Sequence, residues 1–155
     1  MYSWDIDDNE PTIEELDELF PELETLAKEH SDDAETQVAA NVYSWVADGF
    51  TQFNTFVSGA KGLPNTRPDK YKYIIHAEAN LVNWAAKRGF SLEDKVIVCT
   101  LSPCQSCIRT LFQAGVRIIY YKDTYHSHNV QMEDVKVTEE KVGPYTKMVL
   151  NNYEC

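Results

Sequence analysis

Two short, almost uninterrupted apolar runs constrain the fold of this chain most strongly. KVIVCT, residues 95–100, and VRIIYY, residues 116–121, have the composition of buried β-strands. Between them, CQSCIRTLFQAG, residues 104–115, has the pattern of a helix that Gly115 stops. A strand, a helix and a strand in this order predict a crossover connection, and therefore a sheet covered by helices.

The sequence before this strand-helix-strand unit is expected to form two helices and a pair of strands. Residues 10–30 carry apolar side chains three and four apart, which is typical of a helix, and Pro21 is expected to bend or restart it. Residues 36–57 are expected to form two strands joined by a turn at residues 47–49. Residues 76–88 favour a second helix.

The segment after residue 127 has a weaker pattern. It predicts a short strand near residues 135–137 and then a helix opened by Pro144. The expected class is therefore α/β, a three-layer α/β/α sandwich around a mixed central sheet of about five strands. One domain is expected over residues 1–155, with an acidic N-terminal helix and a variable C-terminal tail.

The charge balance narrows the class of partner. The net charge of −11, from 25 acidic and 14 basic residues, would repel a nucleic-acid polymer, and the basic residues form no stripe. A small-molecule substrate fits better. The sequence has no apolar run of the ~20 residues that a membrane helix needs, and its acidic start does not resemble a secretory signal. A cytoplasmic protein without a membrane partner is expected.

Two short motifs carry the chemistry. His76-Ala77-Glu78 precedes the second predicted helix, and Cys104-Gln105-Ser106-Cys107 opens the third. Imidazole nitrogen and thiolate sulfur are the donors that zinc prefers, and side chains three apart on a helix share a face. We expect His76, Cys104 and Cys107 to bind zinc and to leave a fourth position for water.

The role of Glu78 follows from its position. A carboxylate beside a zinc-activated water can take the proton of that water and pass it to a substrate. Because residues two apart on a regular helix point in different directions, His76 is expected at the helix entrance. The alternative is a structural zinc with a fourth protein ligand, for which Cys99, His126 and His128 are the candidates.

The segments around these motifs resemble the deoxycytidylate (dCMP) deaminase family. TRPDKYKYIIHAEAN, residues 66–80, is similar to the family pattern R-P-x-K-Y-x-Y-x-x-H-A-E-x-N. SDDAETQVAA, residues 31–40, resembles S-x-D-P-x-T-x-V-G-A, and IIYYKDTYH, residues 118–126, resembles V-V-Y-x-x-D-K-Y-H. The paired H-x-E and P-C-x-x-C motifs are those of zinc nucleobase deaminases.

This resemblance implies an activity. Such enzymes hydrolyse dCMP to dUMP and ammonia, supplying thymidylate synthesis, and a zinc-activated hydroxide attacks C4 of the base while Glu78 protonates N3. The resemblance also implies a homohexamer or another homo-oligomer. It further implies activation by dCTP and inhibition by dTTP, with Mg²⁺ accompanying the allosteric nucleotide.

The resemblance implies a set of substrate-binding residues as well. The backbone amide near Ala77 and the carbonyl of Ser102 would read the edge of the base, and Asn54 would face the sugar. Tyr120 and Tyr125 flank the expected pocket, where a ring can stack on the pyrimidine or a phenol can reach the phosphate. Adjacent strand residues alternate faces, so only one of Tyr120 and Tyr121 is expected to face the pocket.

One loop departs from the family pattern. Thr55 and Val57 stand where the family has Gly and Pro in Y-N-G-x-P-x-G. Because Thr55 has a Cβ and resists a positive φ, regulation through this loop is in question.

Two other functions stay open from the sequence. A tRNA adenosine deaminase, or another nucleobase deaminase of this fold, shares both motifs, although the net charge opposes a tRNA partner. A zinc-stabilised binding module without catalysis is the second, and such a module would not need Glu78.

Overall fold

A computed structural model describes residues 10–45, 49–124 and 130–153. Within these residues, helices and strands alternate much as the sequence predicts. The elements are α1 (Ile13–His30), β1 (Ala39–Val42), β2 (Thr51–Phe53), α2 (Ala77–Arg88), β3 (Val96–Leu101), α3 (Gln105–Gln113), β4 (Ile118–Asp123), β5 (Lys136–Val142) and β6 (Tyr145–Asn151), with a short 3-10 helix at Asp69–Lys72.

The strands form one mixed sheet in the order β2-β1-β3-β4-β6-β5. β3 and β4 are parallel and are connected through α3, which confirms the predicted crossover. The other neighbouring pairs of strands are antiparallel. β1 and β2 pair with Ala39 opposite Phe53. Most of the turn predicted between them falls on residues 46–48, which lie outside the described part of the chain.

α1 covers one face of the sheet. Thr12 caps it, because its hydroxyl accepts from the Glu15 amide while the Glu15 carboxylate accepts from the Thr12 amide. The helix continues through Pro21 without a break, so it does not restart there. Its buried face packs on sheet residues that include Val98 and Tyr120.

α2 and α3 cover the opposite face. Their buried residues, such as Leu81 and Ile108, pack on the alternate residues of the central strands, such as Ile97 and Tyr121. The three-layer α/β/α sandwich is therefore confirmed. Cys99, which faces this side, is fully buried in the core.

The tail corrects one prediction. Pro144 does not open a helix, because Gly143 (φ 62°) and Pro144 form the turn between β5 and β6. β6 carries buried Met148 and Leu150 at the period of a strand and pairs with both β4 and β5. The sheet consequently has six strands rather than about five. The helices of the described residues include none with the length and apolar composition of a membrane span.

Candidate metal centre and active-site cleft

The three predicted ligands meet at one point. The Nδ1 atom of His76 lies 3.6 Å from Sγ of Cys104 and 3.3 Å from Sγ of Cys107. The three ligand atoms all lie within 4.8 Å of one another. Segments almost thirty residues apart along the chain therefore contribute to one cluster.

The starts of two helices place these side chains. His76 is the N-cap of α2 (φ −64°, ψ 150°), which confirms its predicted place at the helix entrance, and Cys104 is the N-cap of α3 (φ −76°, ψ 168°). Neither side chain makes a cap hydrogen bond to its own helix, so both can contribute to the same cluster. Cys107 follows in the first turn of α3.

The cluster has the dimensions of a zinc site. A tetrahedral ion with Zn–S of about 2.3 Å and Zn–N of about 2.0–2.1 Å separates sulfur from nitrogen by about 3.6 Å. The two measured separations, 3.6 and 3.3 Å, match that edge. One imidazole nitrogen and two thiol sulfurs are also the donor types that zinc prefers. The residues present thus fit zinc in both geometry and chemistry.

The electrostatics of the cluster favour a thiolate. The hydrogen bond from the Cys107 thiol, with help from His76, lowers the pKa of Cys104 to about 4. The same hydrogen bond and burial raise the pKa of Cys107. The bond to Cys104 raises the pKa of His76. A thiolate beside an imidazole is an arrangement that attracts a soft cation.

Glu78 lies beside the cluster but outside it. Its side chain is buried, and this burial raises the pKa of the carboxyl. Within the described ranges, no fourth His, Cys, Asp or Glu donor joins the three ligands, and Cys99 stays outside the group. His126 and His128, the other candidates for a fourth ligand, lie outside the described residues.

A cleft opens above this cluster. The space between its walls is about 550 Å³ when the open solvent at its mouth is included. The lining residues come from the 31–38 loop, the residue after β2, the segment around the 3-10 helix, the start of α2, and the end of β3 with the residues that lead into α3: Asp33, Thr36, Val38, Asn54, Arg67, Lys70, Tyr71, Ile74, His76, Ala77, Glu78, Leu101, Ser102 and Cys104.

A buried ion pair fixes one wall of the cleft. Nζ of Lys70 lies 2.9 and 2.8 Å from the two carboxylate oxygens of Asp33, and the two side chains are 3% and 5% exposed. Oδ1 of Asp33 also accepts from the backbone amides of Glu35 and Thr36. The pair therefore ties the 31–38 loop to the 3-10 helix.

Asn54 lies in the cleft wall, where its amide holds the same loop. Its Oδ1 accepts from the Val38 amide at 2.9 Å and from the Ser31 hydroxyl at 2.6 Å, and its Nδ2 donates to the Thr36 carbonyl at 2.8 Å. Its predicted contact with a sugar stays a prediction, and the described hydrogen bonds make Asn54 part of the loop support.

The departure at Thr55 has a local explanation. Thr55 pairs with Ile75 as an isolated bridge, and it is not among the residues with positive φ. Its hydroxyl and the Phe53 carbonyl both accept from Asn80 Nδ2, at 3.0 and 2.7 Å. The Asn of the HAEAN motif thus ties α2 to β2 and to the residue that replaces the family glycine.

The other predicted substrate residues fall in three places. Ala77 and Ser102 line the cleft, and the Ser102 amide donates to the Asp123 carbonyl at 2.8 Å. Tyr120 packs beneath α1, with its hydroxyl 2.7 Å from Glu10, and it is absent from the cleft lining. Tyr121 packs on the other face, as the alternation requires. Tyr125 lies outside the described residues.

Sequence reasoning did not assign several residues of the cleft wall to the site, among them Thr36, Arg67, Lys70 and Tyr71. These four match the family patterns of residues 31–40 and 66–80, but they were given no role there. That shared resemblance was the signal that could have joined them.

A family model and individual relatives match this chain. The model described as the cytidine and deoxycytidylate deaminase zinc-binding region matches residues 14–123. A deoxycytidylate deaminase of Enterobacteria phage T2 is 36% identical over 64 residues, which are 41% of this chain and 34% of that protein. A probable deoxycytidylate deaminase of Drosophila melanogaster is 27% identical over 89% of this chain and 77% of the relative.

A solved structure has the same fold. The crystal structure of dCMP deaminase from the cyanophage S-TIM5, in complex with dCMP and dUMP, superposes with a TM-score of 0.64 at 24% identity. The match covers 76% of this chain and 88% of that chain. The described architecture is therefore shared over most of both chains.

The Asp33–Lys70 pair generates a stability prediction. Lys70→Met should lower the free energy of unfolding by about 3–5 kcal/mol, because it leaves the Asp33 carboxylate buried without its cation. The double variant Asp33→Asn/Lys70→Met should recover part of this loss, since neither charge remains. Denaturant unfolding monitored by circular dichroism measures both.

The exposed pair Arg109–Asp134, 50% and 54% exposed, supplies the control. Arg109→Met should leave the unfolding midpoint nearly unchanged, because solvent screens that pair. A Lys70→Met midpoint equal to that of Arg109→Met would show that the buried pair does not stabilise the wall.

Proposed function

The chain belongs to the cytidine and deoxycytidylate deaminase zinc-binding family, and from this premise we propose that it is a zinc-dependent enzyme that hydrolyses dCMP to dUMP and ammonia. The observation that carries the proposal is the convergence of His76, Cys104 and Cys107 beside buried Glu78 in one cleft. The names of the phage and fly relatives, and the dCMP and dUMP bound by the S-TIM5 enzyme, support the choice of substrate.

His76, Cys104 and Cys107 would hold the metal. When bound, a catalytic zinc supplies Lewis acidity that makes water a usable nucleophile at neutral pH. The absence of a fourth ligand among the described residues supports a catalytic rather than a structural site.

Glu78 moves the protons in this proposal. Its carboxylate accepts a proton from the attacking water, donates it to N3 of the cytosine ring, and assists the departure of the 4-amino group as ammonia. Burial excludes bulk water from the carboxyl, so the proton passes between the attacking water and the base. A binding module would have no use for a buried carboxyl in this position.

Backbone groups at the cleft would orient the base. Ala77 is the first residue of α2, where amide groups have no carbonyl partner within the helix, so its N–H can donate to the O2 atom of cytosine. The Ser102 carbonyl can accept from the 4-amino group. Its backbone is fixed because the Ser102 amide donates to Asp123.

The charge of the chain supports a small nucleotide rather than tRNA. A net charge of −11 opposes a polyanionic polymer much more strongly than a single nucleotide. The finer predictions belong to the same proposal: a homo-oligomer, a cytoplasmic location, and control by dCTP and dTTP with Mg²⁺.

The catalytic role of Glu78 can be tested by substitution. Glu78→Gln keeps the size of the side chain but removes the proton acceptor, so kcat on dCMP should fall by roughly 10²–10⁴-fold with zinc content unchanged. The measurement is the loss of ultraviolet absorbance of dCMP by zinc-loaded protein. Glu22→Gln, on the exposed face of α1, is the matched control and should retain full activity.

A zinc-loaded wild type that turns over no cytosine substrate would contradict the enzyme proposal. Turnover of an adenosine in tRNA without turnover of dCMP would instead favour the tRNA deaminase alternative. Full activity of Glu78→Gln would remove Glu78 from the mechanism while leaving the substrate in place.

Metal removal gives an independent readout. Zinc joins the starts of α2 and α3, and it binds the folded state in preference to the unfolded state, so its removal should lower Tm by about 5 °C or more. Thermal unfolding with and without a strong chelator measures this, with metal content confirmed separately. Cys104→Ala should show a smaller effect of the chelator, and an unchanged wild-type Tm after confirmed zinc loss would contradict the site.

A further inference from the structure

The Cys-Gln-Ser-Cys segment, residues 104–107, is suited to a second kind of chemistry. Two cysteines separated by two residues, next to a strand-helix-strand unit, are a pattern that redox-active dithiols use. Cys104 is the N-cap of α3 and Cys107 lies in its first turn, and α3 connects the parallel strands β3 and β4. The local fold of this segment therefore suits a reactive dithiol as well as a metal site.

The two sulfurs differ in how a reagent can reach them. Cys104 is half-buried and lines the cleft, whereas Cys107 is 4% exposed and is absent from the cleft lining. Thiol–disulfide exchange needs one accessible sulfur for the attack and a second sulfur within reach to displace the adduct. Cys104 has the first position, and Cys107, three residues further along the same face of α3, has the second.

The two sulfurs are also close to each other. They lie 3.6 Å (Cys104) and 3.3 Å (Cys107) from Nδ1 of His76, and the three atoms all lie within 4.8 Å of one another. A bond between the sulfurs therefore requires only a local adjustment at the start of α3. The third cysteine of the described residues, Cys99, is fully buried in the core and lies outside this group.

We propose that Cys104 and Cys107 form a reversible oxidation site, at which a low-molecular-weight disulfide converts the two metal ligands into an intramolecular disulfide. The Cys104 thiolate attacks one sulfur of the reagent, forms a mixed disulfide and releases one thiolate. The Cys107 thiolate then attacks the Cys104 sulfur, and the second thiolate of the reagent leaves. Two electrons pass from the cysteines to the reagent, whose two thiolates take up protons from solvent.

The new disulfide removes two of the three donors of the metal cluster. The thiolate is the form of cysteine that binds a metal, and neither sulfur of a disulfide is a thiolate. His76 alone cannot hold the ion, so oxidation releases zinc, and reduction in the presence of zinc restores the site. The inference rests on the metal site of the proposed function but not on its substrate.

Oxidation of the zinc-loaded protein tests this proposal without turnover. The Cys155→Ser background removes a cysteine that lies outside the described residues. Glutathione disulfide should release one zinc for each protein disulfide formed, as followed with a zinc-sensitive dye. Mass spectrometry should find a protein lighter by two hydrogen atoms, and peptide mapping should find Cys104 joined to Cys107. Dithiothreitol followed by zinc should restore the original mass and the zinc content.

Two variants identify the order of the steps. Cys107→Ser should stop at a mixed disulfide between Cys104 and glutathione, because no second sulfur displaces the adduct. Cys104→Ser should react at least about 10-fold more slowly, because the remaining sulfur of Cys107 is buried. Circular dichroism confirms the fold of each variant.

Three results would overturn the proposal. They are zinc that stays bound throughout oxidation, a disulfide that includes Cys99, and a final product that carries glutathione on Cys104 without closing to Cys107. If dCMP is deaminated but no Cys104–Cys107 disulfide forms, the oxidation site is wrong and the proposed function stands. If the disulfide forms with release of zinc but dCMP is not deaminated, the oxidation site stands and the proposed activity is wrong.

Discussion

His76 and Cys104 are the N-caps of α2 and α3, and the cleft depends on these two helix starts lying against each other. The crossover from β3 through α3 to β4 fixes α3 on the sheet, and core contacts of α2 with α3 hold the second helix beside it. The donor atoms then meet at separations that a tetrahedral zinc requires. A shift of one helix by a single turn, about 5.4 Å, would separate them.

The rest of the cleft is arranged around that point by polar contacts. Asn80 ties α2 to β2, the Ser102 amide ties the end of β3 to β4, and the Asp33–Lys70 pair ties the loop before β1 to the 3-10 helix. These contacts hold the lining of the cleft around the two helix starts.

Local patterns in the sequence were sufficient for much of this structure. The apolar runs predicted β3 and β4, the spacing of cysteines predicted a helix start, and the two-residue step from His76 to Glu78 predicted a cap. Local patterns were not sufficient for the tail, because Pro144 suits a turn as well as a helix start. The pairing of β6 with β4 selects the turn. The Asp33–Lys70 pair joins residues 37 positions apart, and the position of Tyr120 beneath α1 depends on which face of the sheet that helix covers. Such long-range choices leave no local pattern.

The central claim is a zinc ion held by two thiolates and one imidazole with a position left for solvent. X-ray absorption at the zinc edge of the metal-loaded protein tests it most directly. The account predicts two sulfur neighbours at about 2.3 Å and two nitrogen or oxygen neighbours at about 2.0 Å, of which one is imidazole. A third sulfur neighbour, or a second imidazole, would fill the solvent position with protein and contradict a catalytic site.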